Sequence, residues 1–159
     1  MAKKKKTPEN TIAQNRRARF DYNIDETFEA GLALQGWEVK AMRESKVNLA
    51  ESYIQLHQGE AWLHGCHISP LKTASTHNVL EPTRNRKLLL HAKELVKLHD
   101  AQQKGGYTII PLSLYWIRNL VKLKIATGKG KKLHDKRAAD KAKQWDKDKS
   151  RILKESRDH

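Results

Sequence analysis

Four short stretches of this 159-residue chain carry side chains that could do chemistry. "PTRNRKLLLH" (Pro82–His91) groups Arg84, Arg86 and Lys87. At the start of a helix, such cations would join the free amides in favouring a phosphate. They also oppose the helix dipole, so they need a reason to be there, and an RNA backbone supplies one. "FEAG" places Glu29 in a strand-like run beside Phe28 and Leu32. It reads as a solvent-facing residue or, within a cationic surface, as an acceptor for base edges or a 2′-hydroxyl. "HGCH" (His64–His67), with His77 nearby, invites a metal. On a strand, however, His64 and Cys66 share one face and His67 takes the other. No second Cys/His pair at zinc spacing exists, so no metal site is expected. Cys66 reads as a small buried strand cysteine rather than a nucleophile. "GKGKKLHDKR" (Gly128–Arg137) fails the GxxxxGK[ST] phosphate-loop pattern, because neither Lys131 nor Lys132 precedes Ser or Thr. It reads as a solvated linker, a nuclear signal or the hand-over to an RNA-gripping arm. No catalytic residue and no cofactor is expected.

Several elements must position these groups. "ARFDYNIDETFEAGLAL" (18–34) is rich in strand formers, with Phe20, Tyr22 and Ile24 in alternation. "WEVKAMRE" (37–44) has helical spacing. "SYIQLHQGEAWLHGCHI" (52–68) predicts a hairpin turning at Gln58-Gly59, with Trp62, His64, Cys66 and Ile68 on one face. A long helix is predicted within Thr83–Gln103, capped by Thr83 or Asn85 and ended by Gly105-Gly106. Leu88, Ala92, Leu95 and Leu98 form its stripe, and Leu89 sits about 100° round from Leu88, available for a base. A second hairpin pairs "YTIIPLSLYW" with "LVKLKIA". It sets Ile110, Leu112, Leu114 and Trp116 on one face and Val121, Leu123 and Ile125 against Lys122 and Lys124. Pro111 marks an edge strand or a bulge.

Hairpins with inserted helices predict an α+β fold, a small antiparallel barrel with packed helices. Residues 1–15 are expected to be a disordered basic N-terminus, 16–127 the body and 128–159 a basic tail. Gly128 and Gly130 are expected to turn the chain out of the last strand. In the tail, Ala138, Ala142, Trp145, Lys149 and Ile152 make only a thin helical stripe, so it is expected to be disordered when free and helical on a partner.

The formal charge is +14. Residues 1–19 hold seven Lys/Arg against one Glu and 127–159 hold twelve against six; the stretch between holds thirteen against eleven. The cations flank a nearly neutral body, which suits an anionic partner. One Cys excludes an intrachain disulfide, and no stretch approaches the roughly 20 apolar residues of a membrane span. The chain is expected to be cytoplasmic, with no membrane and no DNA partner.

The stretches "NRRARFDYNIDETFEAGLALQGWEVKAMR", "LHGCHISP", "PTRNRKLLLHAKEL", "GYTIIPLSLYW" and "GKGKKLHDKR" together resemble the SmpB family, in its order and spacing, from Asn15 to about Ile152. The resemblance implies an OB-like barrel. It implies an adaptor that binds the tRNA-like domain of tmRNA, helps its alanylation and carries it to stalled 70S ribosomes for trans-translation, as a monomer when bound. Positions matching the family's RNA contacts are Asn15, Tyr22, Glu29 and Leu89, with Arg84, Arg86 and Lys87 as basic neighbours. The tail is implied to enter the decoding centre of 16S rRNA and the mRNA channel through Lys131, Lys132, His134, Asp135, Lys136, Arg137, Trp145 and Ile152. The alternative is another ribosome-associated or assembly RNA-binding protein.

Overall fold

A computed structural model of the chain describes residues 10–72, 80–131, 144–145 and 147–151. Strand β1 (Thr11–Gln14) leads into a one-turn helix α1 (Ala18–Asp21) and the long strand β2 (Tyr22–Leu32). Helix α2 (Gly36–Arg43) follows, then β3 (Val47–Asn48), β4 (Tyr53–His57), β5 (Glu60–His64) and β6 (His67–Ile68). Strand β7 (Arg86–Leu89), helix α3 (Ala92–Gln103) and the hairpin β8 (Tyr107–Ile117) and β9 (Leu120–Gly130) complete the body. Seven strands form one antiparallel sheet in the order β1-β8-β9-β2-β7-β5-β4, and β3 pairs with β6. The sheet curls until β4 approaches β8, while its edges β1 and β4 remain unpaired with each other. The result is a half-open, OB-like α+β barrel.

Its inward face is the alternating apolar set of each strand. Phe28, Ala30, Ile54, Leu63, Leu88, Leu114, Leu123 and Ile125 close one core, into which α2 sends Met42 and α3 sends Leu98. Both predicted hairpins form, and the first turns at Gln58 (φ 51°) and Gly59 (φ 77°). Among the described residues no helix is long and apolar enough to cross a membrane.

Several expectations need correction. Order begins before residue 16: β1 pairs with β8, so the predicted disordered N-terminus does not reach residue 15. The run from Ala18 starts as a helical turn because Asn15 and Arg17 carbonyls accept the amides of Ala18, Phe20 and Asp21. The predicted long helix is two elements. Arg86–Leu89 is a strand between β2 and β5, and the helix begins after His91. Two alternating buried side chains, Arg86 and Leu88, reward a period of two more than the Leu88–Ala92–Leu95 stripe rewards a period of 3.6. The true start signal was His91 with Glu94 three residues on, whose carboxylate accepts the His91 amide at 3.1 Å.

The face assigned to the first hairpin is also corrected. Ala61 and Leu63 point inward and Trp62 and His64 outward. Gly65, at φ 73°, then shifts the phase so that Cys66 and Ile68 are buried. Likewise, β8 bulges between Pro111 and Ser113. Ile110 and Leu112 therefore leave the main core and pack with Ala18 and Ala126, while Leu114 stays in it. Pro111 sits at that bulge in an internal strand rather than at an edge.

Candidate nucleic-acid interface

The outward face of the sheet carries the polar residues of each alternation, and register aligns them into rows. Leu89 lies opposite Gly31, Gly31 opposite Lys122, Lys122 opposite Tyr115, and Tyr115 opposite Thr11. The next row runs Glu29, Lys124, Ser113 and Gln14. Leu89 is 53% exposed, and a Cβ on Gly31 would lie 3.2 Å from that of Leu89, so the missing side chain lets the leucine lie across the strand. Leu89 is thus exposed, but through strand alternation and not through the helical angle that the sequence suggested.

The α1 segment roofs one end of this face. Its Ala18, with Tyr22 and Ile24, covers Ile110, Leu112 and Ala126 in a second small core. Beneath the overhang lies a cavity of about 950 Å³ whose lining includes Asn15, Arg16, Arg19, Glu29, Tyr115 and Lys124. Asn15 fixes the roof by donating its amide to the Leu112 carbonyl (2.8 Å) and its Nδ2 to the Pro111 carbonyl (3.0 Å). The bulge exposes those carbonyls, and the carboxamide satisfies one of them. Tyr22 is half-buried in the second core, away from the cavity.

At the cavity floor the Tyr115 hydroxyl donates to Glu29 Oε2 at 2.6 Å. Burial, and then the Glu29 carboxylate, push the Tyr115 phenol above its ordinary value, so it remains a donor. Lys122 and Lys124 take no ion-pair partner among the described residues, and neither do Arg16 and Arg19. Sequence reasoning passed over Tyr115, Arg16, Arg19 and these two lysines as site residues. The alternation of "LVKLKIA" held the signal for the lysines.

The basic cluster of Pro82–His91 is mostly not where it was expected. Arg86 is fully buried: its Nε reaches Glu38 Oε2, Nη1 the Cys66 carbonyl (2.6 Å) and Nη2 the Pro82 carbonyl (3.0 Å). Arg84 Nη2 binds Glu38 Oε1 (2.6 Å) and the Ala33 carbonyl (3.2 Å). Glu38 is itself fully buried, and its Oε1 accepts the Gln35 amide at the start of α2 (2.7 Å). Burial alone would raise its pKa, but hydrogen bonds from Arg84, the Gln35 amide and Arg86 hold the carboxyl below its ordinary range. These two arginines tie α2, β7 and the turn at Cys66 together, so Arg86 is corrected from a phosphate ligand at a helix start to a structural cation. Lys87 faces outward and pairs with Glu60 at 3.0 Å.

"GKGKKLHDKR" also changes. Gly128 and Gly130 do not turn the chain away; both are the end of β9, paired to Ile24 and Tyr22. A Cβ at Gly128 would lie 2.7 Å from the Asn23 carbonyl oxygen, so the glycine serves close strand approach. The Lys131 amide still binds the Asp21 carbonyl (2.8 Å), which ties the exit of the barrel to the end of α1. Beyond it, Trp145 is 62% exposed and residues 147–151 are helical. His77, Lys132, His134, Asp135, Lys136, Arg137 and Ile152 lie outside the described residues.

Residues 12–155 match a family model described as SmpB protein. An SsrA-binding protein of Chromohalobacter salexigens is 57% identical over 155 residues, 97% of this chain and 99% of that protein. One from Alkalilimnicola ehrlichii is 56% identical over 154 residues, 97% and 96% of the two chains. A chain from a structure reported as "tmRNA-SmpB: a journey to the center of the bacterial ribosome" superposes with a TM-score of 0.62 at 43% identity, covering 76% of this chain and 85% of that one.

Proposed function

This chain belongs to the SmpB family, and from that premise we propose that it is a non-enzymatic RNA-binding adaptor that binds tmRNA and serves trans-translation on the ribosome, in the cytoplasm. The outward face carries the reading. It combines an exposed leucine with four cations without described ion-pair partners, and Arg16, Arg19, Lys124 and the oriented Glu29 carboxylate line a cavity of about 950 Å³. Cations neutralise phosphates, an exposed aliphatic side chain packs against a base, and a carboxylate accepts from a base or a 2′-hydroxyl. Glu29, Leu89 and the free edge of Asn15 are the RNA contacts we assign, with Arg16, Arg19, Lys122 and Lys124 on phosphates. Tyr22 supports the roof, and Lys87 borders the same face.

The tRNA-like domain of tmRNA is the element this face grips, which leaves its acceptor end free for alanylation. The tail then works apart from the body. Lys131, Lys132, His134, Asp135, Lys136 and Arg137 meet 16S rRNA at the decoding centre, and Trp145 and Ile152 follow the mRNA channel. A gel-shift with tmRNA against bulk tRNA tests the body: a strong preference for tmRNA is expected, and equal binding overturns the reading. Deleting 132–159 should leave that preference intact and abolish peptide tagging on stalled ribosomes.

A further inference from the structure

We propose that Tyr115 is a positioning residue of this interface: its phenol holds Glu29 so that the carboxylate's other oxygen is aimed at an N–H or O–H donor of the RNA. The proposal rests on reading the outward face as the tmRNA site.

The hydrogen bond spans 86 residues of sequence and steps over strand β9, which lies between the two partners. The lysines on that strand decide why the step matters. Lys124 stands directly opposite Glu29, and Lys122 directly opposite Tyr115. A glutamate left to itself there would swing toward either lysine, and each pairing would cancel an acceptor and a cation together. Instead the phenol takes Oε2 at 2.6 Å, and neither lysine forms an ion pair with a described carboxylate. One hydroxyl thus keeps the lysines free for phosphate and fixes the rotamer of an exposed, otherwise mobile side chain before RNA arrives. Glu29 Oε1 makes no hydrogen bond to a described residue and is left for the ligand.

The chemistry of that ligand group follows. An ionised carboxylate only accepts, and beside phosphates it is repulsive. It therefore selects a donor: the N1–H and N2–H edge of guanine, an exocyclic amine, or a ribose 2′-hydroxyl.

The test measures binding of the full-length protein to full-length tmRNA for wild type, Tyr115→Phe, Glu29→Gln and the double variant, at several salt concentrations, with wild type also measured on bulk tRNA and melting followed alongside. Tyr115→Phe keeps the ring, and its melting temperature should stay near that of wild type. Its affinity should fall about fivefold, the loss of one oriented hydrogen bond. Its slope of log affinity on log salt should fall by up to about one, because the released Glu29 carboxylate pairs with Lys122 or Lys124 and withdraws it from phosphate. Glu29→Gln should weaken binding at least as much, and the double variant should be no weaker than Glu29→Gln alone. Wild-type affinity in Tyr115→Phe overturns the proposal. So does a double variant whose loss is the product of the single losses, since the phenol would then contact RNA by itself. A wild-type protein that does not prefer tmRNA to bulk tRNA overturns the underlying reading and this role with it, and is told apart by the wild-type arm alone.

Discussion

Replacing Glu38 with alanine should be the most damaging single change in the body, although the residue lies on a short polar helix. Glu38 and Arg86 are both fully buried, and Arg84 keeps only part of its side chain in water. Removing the carboxylate leaves the Arg86 guanidinium with two carbonyl partners and no counter-charge. Breaking a buried pair in this way costs about 3–5 kcal/mol. The body holds about 115 described residues, for which the unfolding entropy is on the order of 0.24 kcal/mol/K, so the melting temperature should fall by about 12–20 °C. Circular dichroism melting at neutral pH reads this directly. Glu38→Leu combined with Arg86→Met should be less unstable than Glu38→Ala, because no charge is then stranded. The pH dependence has a definite sign. The folded carboxyl sits below its ordinary 4.5. Its stabilisation is therefore complete above that value and is lost as pH falls through the folded pKa, where wild type and Glu38→Ala should converge. The buried-charge account is refuted if Glu38→Ala melts within about 4 °C of wild type, since the roughly 1 kcal/mol this represents is only about a third of the smallest loss a stranded charge should cause. It is also refuted if Arg86→Met melts normally yet reduces the salt slope of tmRNA binding by about one, the mark of a phosphate contact.

Three other outcomes follow from the geometry. Gly128→Ala should cost roughly 1–3 kcal/mol in denaturant unfolding, since its Cβ would lie 2.7 Å from a backbone oxygen of β2. Lys124→Ala should lower the salt slope of tmRNA binding by about one without moving the melting temperature, because the lysine is half-exposed and unpaired among the described residues. Burial pushes the Cys66 thiol up to about 11 against the opposing pull of Arg86. Alkylation at neutral pH should therefore proceed only as the protein unfolds, and Glu38→Ala should accelerate it.

Local signals carried much of the fold. Gln58-Gly59, the alternation of Val121, Leu123 and Ile125, and Gly105-Gly106 each act within a few residues, and each forms what its chemistry predicts. The misreadings lie where a distant partner or a local break in phase overrode the simple pattern. Arg86–Leu89 looked like a first helical turn because Glu38, 48 residues away, is invisible to any window along the chain. Gly65 and the bulge after Pro111 changed the facing of side chains without changing their order.

The candidate site divides along the same line. Glu29 and Leu89 stood out by type and placement, Asn15 only by family resemblance, and an anionic partner was expected from a charge of +14. Which cations are free could not be read from the chain, because a guanidinium buried on a carboxylate and one open to solvent are the same letter. The sheet register decided it, by turning Arg86 inward on Glu38 and aligning Lys122 and Lys124 beside Glu29 and Tyr115. Composition set the sign expected of the partner's charge; only the packing of seven strands chose which charged side chains face outward and which are buried.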